Sequence, residues 1–137
     1  ASDTGIQAMA ENHVVATLLP LTAFTLREPY ARGREMIDRG CAVALATDLN
    51  PGSCCSGSIP LTFALACIYM NLSVEEAITA MTLNGAAAIG RADRIGSIEV
   101  GKQGDLVVLD ADTPAILPYY TGMNAVRNTI KRGKIIY

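Results

Sequence analysis

An unbroken apolar run, Cys41-Ala42-Val43-Ala44-Leu45-Ala46, opens directly into Thr47-Asp48-Leu49-Asn50-Pro51-Gly52-Ser53. A short apolar run between Gly40 and a turn-forming cluster predicts a strand buried on both faces, not an amphipathic one. The pattern occurs once earlier. Val14-Val15-Ala16-Thr17-Leu18-Leu19 is rich in β-branched residues and closes at Pro20, so it reads as a second buried strand. Helical spacing precedes each strand: Ile6, Met9 and Ala10 recur within residues 3–12, and Met36 and Ile37 share a face of residues 31–39, with Gly40 as the stop. Residues 21–30, with Arg27, Glu28 and Pro29, read as an irregular loop. The order helix, strand, helix, strand implies a parallel sheet covered by helices, because parallel neighbours need a crossover long enough to hold one. The fold class expected is therefore α/β.

Beyond the second strand, residues 59–70 are apolar nearly all round and predict a buried helix. Ser73-Val74-Glu75-Glu76 is a capping box that opens the next helix, which carries Ala77, Ile78 and Met81. Asn84 is expected to cap a short helix over 85–89, ended by Gly90. The character then changes. Residues 95–105 are punctuated by glycine, 106–109 form a strand, and 126–131 alternate with Val126, Asn128 and Ile130 on one face. Arg132-Gly133 turns this strand back into 134–137 as a hairpin. This tail reads as a small all-β unit, with its boundary at residues 91–95, giving an α/β part over 1–92 and a β part over 93–137.

Composition narrows the possible partners. With 137 residues the chain has the size of one domain. A net charge of −2 offers no basic field for nucleic acid or an anionic membrane, and Trp is absent, so base-stacking platforms are not expected. The longest apolar stretch, 59–68, contains Pro60 and is too short to cross a bilayer. No charged-then-apolar leader opens the chain, and it begins at Ala1 without Met, which suggests a processed or truncated product. Cys41, Cys54, Cys55 and Cys67 show no CxxC spacing and no companion His cluster. They read as free thiols of a cytoplasmic protein.

The most informative residue is Asp48. In parallel α/β folds, binding groups gather at the C-terminal ends of strands. A carboxylate there suits a general base, or a hard oxygen ligand for a divalent cation. A second reading stays open at this point: Asp and Asn in turns also serve only to satisfy backbone groups, as Asx turns or helix caps.

Several stretches together are similar to the imidazolonepropionase family of metal-dependent amidohydrolases. Residues 44–53 resemble that family's last barrel strand and loop, and Asp-Leu-Asn-Pro-Gly-Ser is the most family-specific part. Residues 60–67, ending Leu-Ala-Cys, resemble its next helix, and 83–90 its Asn-Ala-Ala helix. Gly96-Ser97-Ile98-Glu99-Val100-Gly101-Lys102-Gln103-Gly104-Asp105-Leu106 resembles the return into the β domain shared by many amidohydrolases. Leu117-Pro118-Tyr119-Tyr120 and Lys131-Arg132-Gly133-Lys134 add to the likeness.

The resemblance implies the last part of a (β/α)₈ TIM barrel, with 14–19 as strand seven and 41–46 as strand eight. Residues 95–137 would then be the C-terminal half of a small β-sandwich. It implies hydrolysis of 4-imidazolone-5-propanoate to N-formimidoyl-L-glutamate in histidine degradation, with zinc or iron in the intact enzyme. Asp48 would ligate that metal and take a proton from its water. Asn50 and Gly52 would contact the glutamate-like end of the product, and Ser53 the substrate. Arg27 has no matched role and is expected to pair with Glu28 or another acid.

The chain departs from the family where the metal is concerned. Its one histidine, His13, sits at a helix-to-strand junction and reads as a surface residue. The family's other ligands are histidines upstream of these segments, and a barrel of this kind needs about 250 residues. The chain is therefore expected to be an inactive C-terminal fragment that binds no metal alone. Its partners would be the missing N-terminal portion and, through exposed strand edges, further copies of itself. Two rivals remain: a related aminohydrolase such as a formimidoyl-glutamate deiminase or guanine deaminase, and a non-catalytic α/β interaction module.

Overall fold

A computed structural model describes residues 1–137. Helix α1, Asp3–Glu11, starts where the Ser2 hydroxyl accepts the Gly5 N–H at 3.2 Å, and it buries Ile6 completely. Strand β1, Ala16–Leu18, lies parallel to β2, Val43–Leu45, with Ala16 opposite Val43 and Leu18 opposite Leu45. The parallel pairing expected from the sequence is present, but each strand is shorter than its apolar run. His13 turns with a left-handed φ of 53°, and the following Val14 stays exposed.

Residues 21–30 are not a loop throughout. They contain most of helix α2, Pro20–Leu26. Pro20 closes the strand by opening a helix, since at the first helical position its fixed φ helps and its missing N–H costs nothing. Leu21 and Pro20 are buried, and the Thr25 hydroxyl donates back to the Leu21 carbonyl at 2.9 Å. The helix stops at Arg27, whose φ of 57° is left-handed.

Helix α3, Gly33–Asp38, starts at a glycine because neighbouring side chains pack against its backbone there. A Cβ on Gly33 would lie 2.8 Å from Leu72 Cδ1 and 3.1 Å from Met70 Cβ. Helix α4, Ile59–Tyr69, buries every residue from Thr62 to Ala66, and the Thr62 hydroxyl is satisfied by donating to the Ser58 carbonyl at 2.8 Å. No helix is long and apolar enough to cross a membrane.

The capping box opens helix α5, Val74–Met81, as expected: the Glu76 N–H donates to Ser73 Oγ at 3.2 Å, and the Ser73 N–H to Glu76 Oε2 at 2.7 Å. Glu76 also accepts from two guanidinium nitrogens of Arg34, at 2.7 and 2.9 Å, which ties α5 to α3. Asn84 does not cap helix α6, Leu83–Ala88. Thr82 holds the cap position, and Asn84 Nδ2 donates instead to the Val43 carbonyl at 2.8 Å, docking α6 on β2. Packing of α6 against the sheet, not local capping, sets this residue's role.

The remaining strands, β3 (Leu106–Leu109), β4 (Val126–Lys131) and β5 (Lys134–Ile135), form an antiparallel sheet in that order. Between β3 and β4 the chain makes a short helix that the sequence pattern does not anticipate, α7, Ile116–Tyr119, packed on α4. Asp105 pins the start of β3. Its carboxylate accepts from Lys131 Nζ at 2.6 Å, the Arg132 N–H at 2.8 Å and Gln103 Nε2 at 2.6 Å.

The Lys131 and Arg132 bonds hold the Asp105 carboxyl down at about 2. A depressed carboxylate contributes stability above its unfolded-state value, and that contribution fades as pH falls toward the folded one. Protection of the Arg132 amide in hydrogen exchange is therefore expected at about pH 5 and largely lost by about pH 2, with Asp105→Ala lacking it at both. Equal protection at the two pH values would contradict this.

Candidate functional site

The Ala46 N–H extends the ladder by donating to the Leu18 carbonyl at 3.1 Å, and the chain leaves β2 at Thr47. Asp48 then adopts a left-handed φ of 54°. Asp tolerates this conformation better than most residues, but it still needs fixing from outside. Two bonds fix it. Asn50 Nδ2 donates to the Asp48 carbonyl at 2.7 Å, and Thr22 Oγ1, from α2, donates to Asp48 Oδ2 at 2.9 Å. The other carboxylate oxygen, Oδ1, accepts no bond from the chain and is not sealed from solvent.

Asn50 builds the loop. Its Oδ1 accepts the Gly52 N–H at 2.9 Å and the Ser53 N–H at 2.8 Å, and its Nδ2 reaches Ser53 Oγ at 2.9 Å. Its own N–H donates to the Cys54 carbonyl at 2.9 Å, which closes the loop as a bridge. An Asx turn is therefore present, at Asn50, while the Asp48 carboxylate keeps a free oxygen. Asp48, Asn50 and Ser53 are half-buried and Gly52 is exposed, so the structure brings together all four residues singled out from the sequence.

Thr22, which sequence reasoning did not single out, reaches the Asp48 carboxylate from α2. The available signal was Pro20 directly after an apolar strand. It places a helix start, and hence the hydroxyl two residues later, at the C-terminal end of the sheet. The other candidates fall elsewhere. His13 precedes β1, at the end of the strands opposite Asp48, and is exposed. Arg27 makes no ion pair with Glu28, contrary to expectation, whereas Arg32, Arg34 and Arg39 are paired. The reason is α2: Arg27 turns left-handed as its C-cap, while the Glu28 N–H folds back onto the Ala23 carbonyl.

The four thiols are free. Cys41 donates to the Ile6 carbonyl at 3.3 Å. Burial, with Glu75 and Glu76 nearby, pushes the Cys67 thiol up to about 11, which keeps it protonated. A cavity of about 740 Å³ lies between α4, α5 and the antiparallel sheet. Phe63, Ile78, Val107 and Leu117 line it and no titratable side chain does, so it is an apolar cleft without acid–base chemistry.

The free oxygen of Asp48 suits one position around a divalent cation. Nowhere do three His, Cys, Asp or Glu side chains converge. A defined catalytic zinc site takes three protein ligands, and Asp48 can supply one.

The sequence profile of the amidohydrolase family matches residues 2–136. The imidazolonepropionase of Phocaeicola vulgatus is 80% identical over 137 residues, which is 100% of this chain and 33% of that protein. The imidazolonepropionase of Porphyromonas gingivalis is 65% identical over 136 residues, 99% of this chain and 32% of that protein. The chain thus spans about a third of the length of the curated relatives it matches. An adenosine deaminase from Xanthomonas campestris with bound zinc superposes with a TM-score of 0.88 at 27% identity, covering 98% of this chain and 34% of that one. The guanine deaminase of E. coli gives a TM-score of 0.77 at 19% identity, covering 100% and 37%, a likeness of fold alone.

Replacing Asn50 by Ala removes the acceptor of the Gly52 and Ser53 amides. The expected result is loss of exchange protection at both amides, with destabilisation of about 1–3 kcal/mol by denaturant titration. Unchanged protection would show that the loop holds its shape without the Asn50 side chain.

Proposed function

We propose that this chain, which belongs to the amidohydrolase family, is the C-terminal part of an imidazolonepropionase. The whole protein would hydrolyse the C–N bond of 4-imidazolone-5-propanoate to give N-formimidoyl-L-glutamate. The observation that carries this reading is the 80% identity to a protein of that name over the whole chain, Asp48 loop included. A deaminase assignment has weaker support, because the adenosine deaminase shares 27% and the guanine deaminase 19% of residues.

In this reading β1 and β2 are the seventh and eighth strands of a (β/α)₈ barrel. Strands β3 to β5 belong to a β-sandwich half, with the boundary between residues 92 and 93. The parallel register of β1 and β2 and the antiparallel order of the second sheet support the division. Open strand edges would be covered by the rest of the protein.

Asp48 is the proposed catalytic residue. Its free Oδ1 would take a proton from the hydrolytic water and pass it to the departing ring nitrogen, which a carboxylate within hydrogen-bond reach of both can do. A zinc or iron ion held by Asp48 and by ligands outside these 137 residues would lower the pKa of that water. Asn50 and Gly52 would line the glutamate-like end of the substrate, which carries its carboxylate, and Ser53 would make a further substrate contact.

In the whole protein, Asp48→Asn is expected to lower kcat for 4-imidazolone-5-propanoate by roughly 10²–10⁴-fold. Product formation followed by mass spectrometry checks this. Activity within a few-fold of the unsubstituted protein would remove Asp48 from the chemistry.

A further inference from the structure

We infer that Thr22 is a positioning residue for the reaction: its hydroxyl, donated to Asp48 Oδ2, turns Oδ1 toward the reacting atoms. The inference rests on the proposed role of Asp48 and goes beyond it, because Thr22 belongs to a different element and has no part in the loop itself.

Three observations carry it. First, the bond is specific in direction. A threonine hydroxyl has one proton, and at 2.9 Å from a carboxylate oxygen it donates that proton there. Only Oδ2 is engaged, so the carboxylate is left with one occupied and one open oxygen. Second, the donor is rigidly held. Thr22 is the third residue of α2, directly after Pro20 and the buried Leu21, and Leu21 packs with Cys54 and Leu65 in a small core of its own. Third, the acceptor is held from the other side. Asn50 Nδ2 grips the Asp48 carbonyl at 2.7 Å and stabilises its left-handed backbone.

Backbone and carboxylate are thus clamped independently, by a residue two positions later and by one twenty-six positions earlier. A carboxylate on one tetrahedral carbon rotates freely in a loop. With both anchors it cannot turn away from the open side without breaking a charge-assisted bond. Proton transfer depends on this geometry, since a general base must stay within hydrogen-bond reach of the proton it takes.

The test uses the whole protein with Thr22→Val, which keeps the shape and removes the donor, Thr22→Ser, which keeps the donor, and Asp48→Asn as reference. Thr22→Ala stands in for Thr22→Val should the latter fail to fold. For Thr22→Val the expected result is a kcat lower by roughly 10-fold or more, with KM within about two-fold. Thr22→Ser is expected to restore kcat to within about three-fold of the unsubstituted protein. Crystals of Thr22→Val should show the Asp48 carboxylate rotated or spread over several rotamers.

A Thr22→Val protein with unchanged kcat, a Thr22→Ser protein no better than Thr22→Val, or an unmoved carboxylate in the crystal would each overturn the inference. If Asp48→Asn abolishes turnover while Thr22→Val leaves it intact, only the role of Thr22 fails. If Asp48→Asn itself leaves turnover intact, the reading of the site beneath it fails as well.

Discussion

The parallel ladder between Ala16–Leu18 and Val43–Leu45 is the constraint on which the rest depends. It is only three residues deep, yet it brings the C-terminal ends of both strands to one level. The segments leaving those ends must then meet: α2 from the first strand, the Asp48 loop from the second. The Thr22–Asp48 bond is a direct consequence of that register. A slip of one residue would invert every side chain of a strand and separate the two. The register is protected by burial. Leu18, Val43 and Leu45 share one cluster with Ile6 of α1 and with Phe63, Ala66 and Met70 at α4, so helices hold the strands in place. Burying each large aliphatic side chain contributes about 1.5–3 kcal/mol.

The loop at the end of the second strand divides its work between two residues. Asn50 commits its amide inside the loop, so it sets shape. Asp48 commits only half of its carboxylate, so it keeps capacity for something outside the chain. One amide is spent within the turn, and one carboxylate oxygen is not. The apolar cleft beneath the antiparallel sheet is lined by Phe63, Ile78 and Val107 without an acid or base.

Much of this was legible in the sequence, for identifiable reasons. Both strands, the buried helix over 59–69 and the Ser73–Glu76 capping box announce themselves through local pattern, and the antiparallel hairpin through Arg132-Gly133. The departures share one cause, which is that wider context overrides local rules. By those rules Pro20 ends a strand; in the fold it also starts a helix. By the same rules Asn84 caps a helix, whereas it reaches the backbone of β2, forty-one residues away in sequence. Arg27 and Glu28 are neighbours of opposite charge, but helix termination turns the two apart. α7 is only four residues long and holds Pro118, so no periodicity could reveal it. Asp48 could be singled out from its position at a strand end. The hydroxyl that orients it could not, because a contact across twenty-six residues has no local signature.

Substrate choice tests the assignment most directly. Whole protein carrying this chain should be offered 4-imidazolone-5-propanoate, adenosine and guanine in parallel, with products identified by mass. N-formimidoyl-L-glutamate is expected from the first, and no deamination of the other two. Turnover of adenosine or guanine, with the imidazolone untouched, would contradict the assignment and place the Asp48 loop in deaminase chemistry.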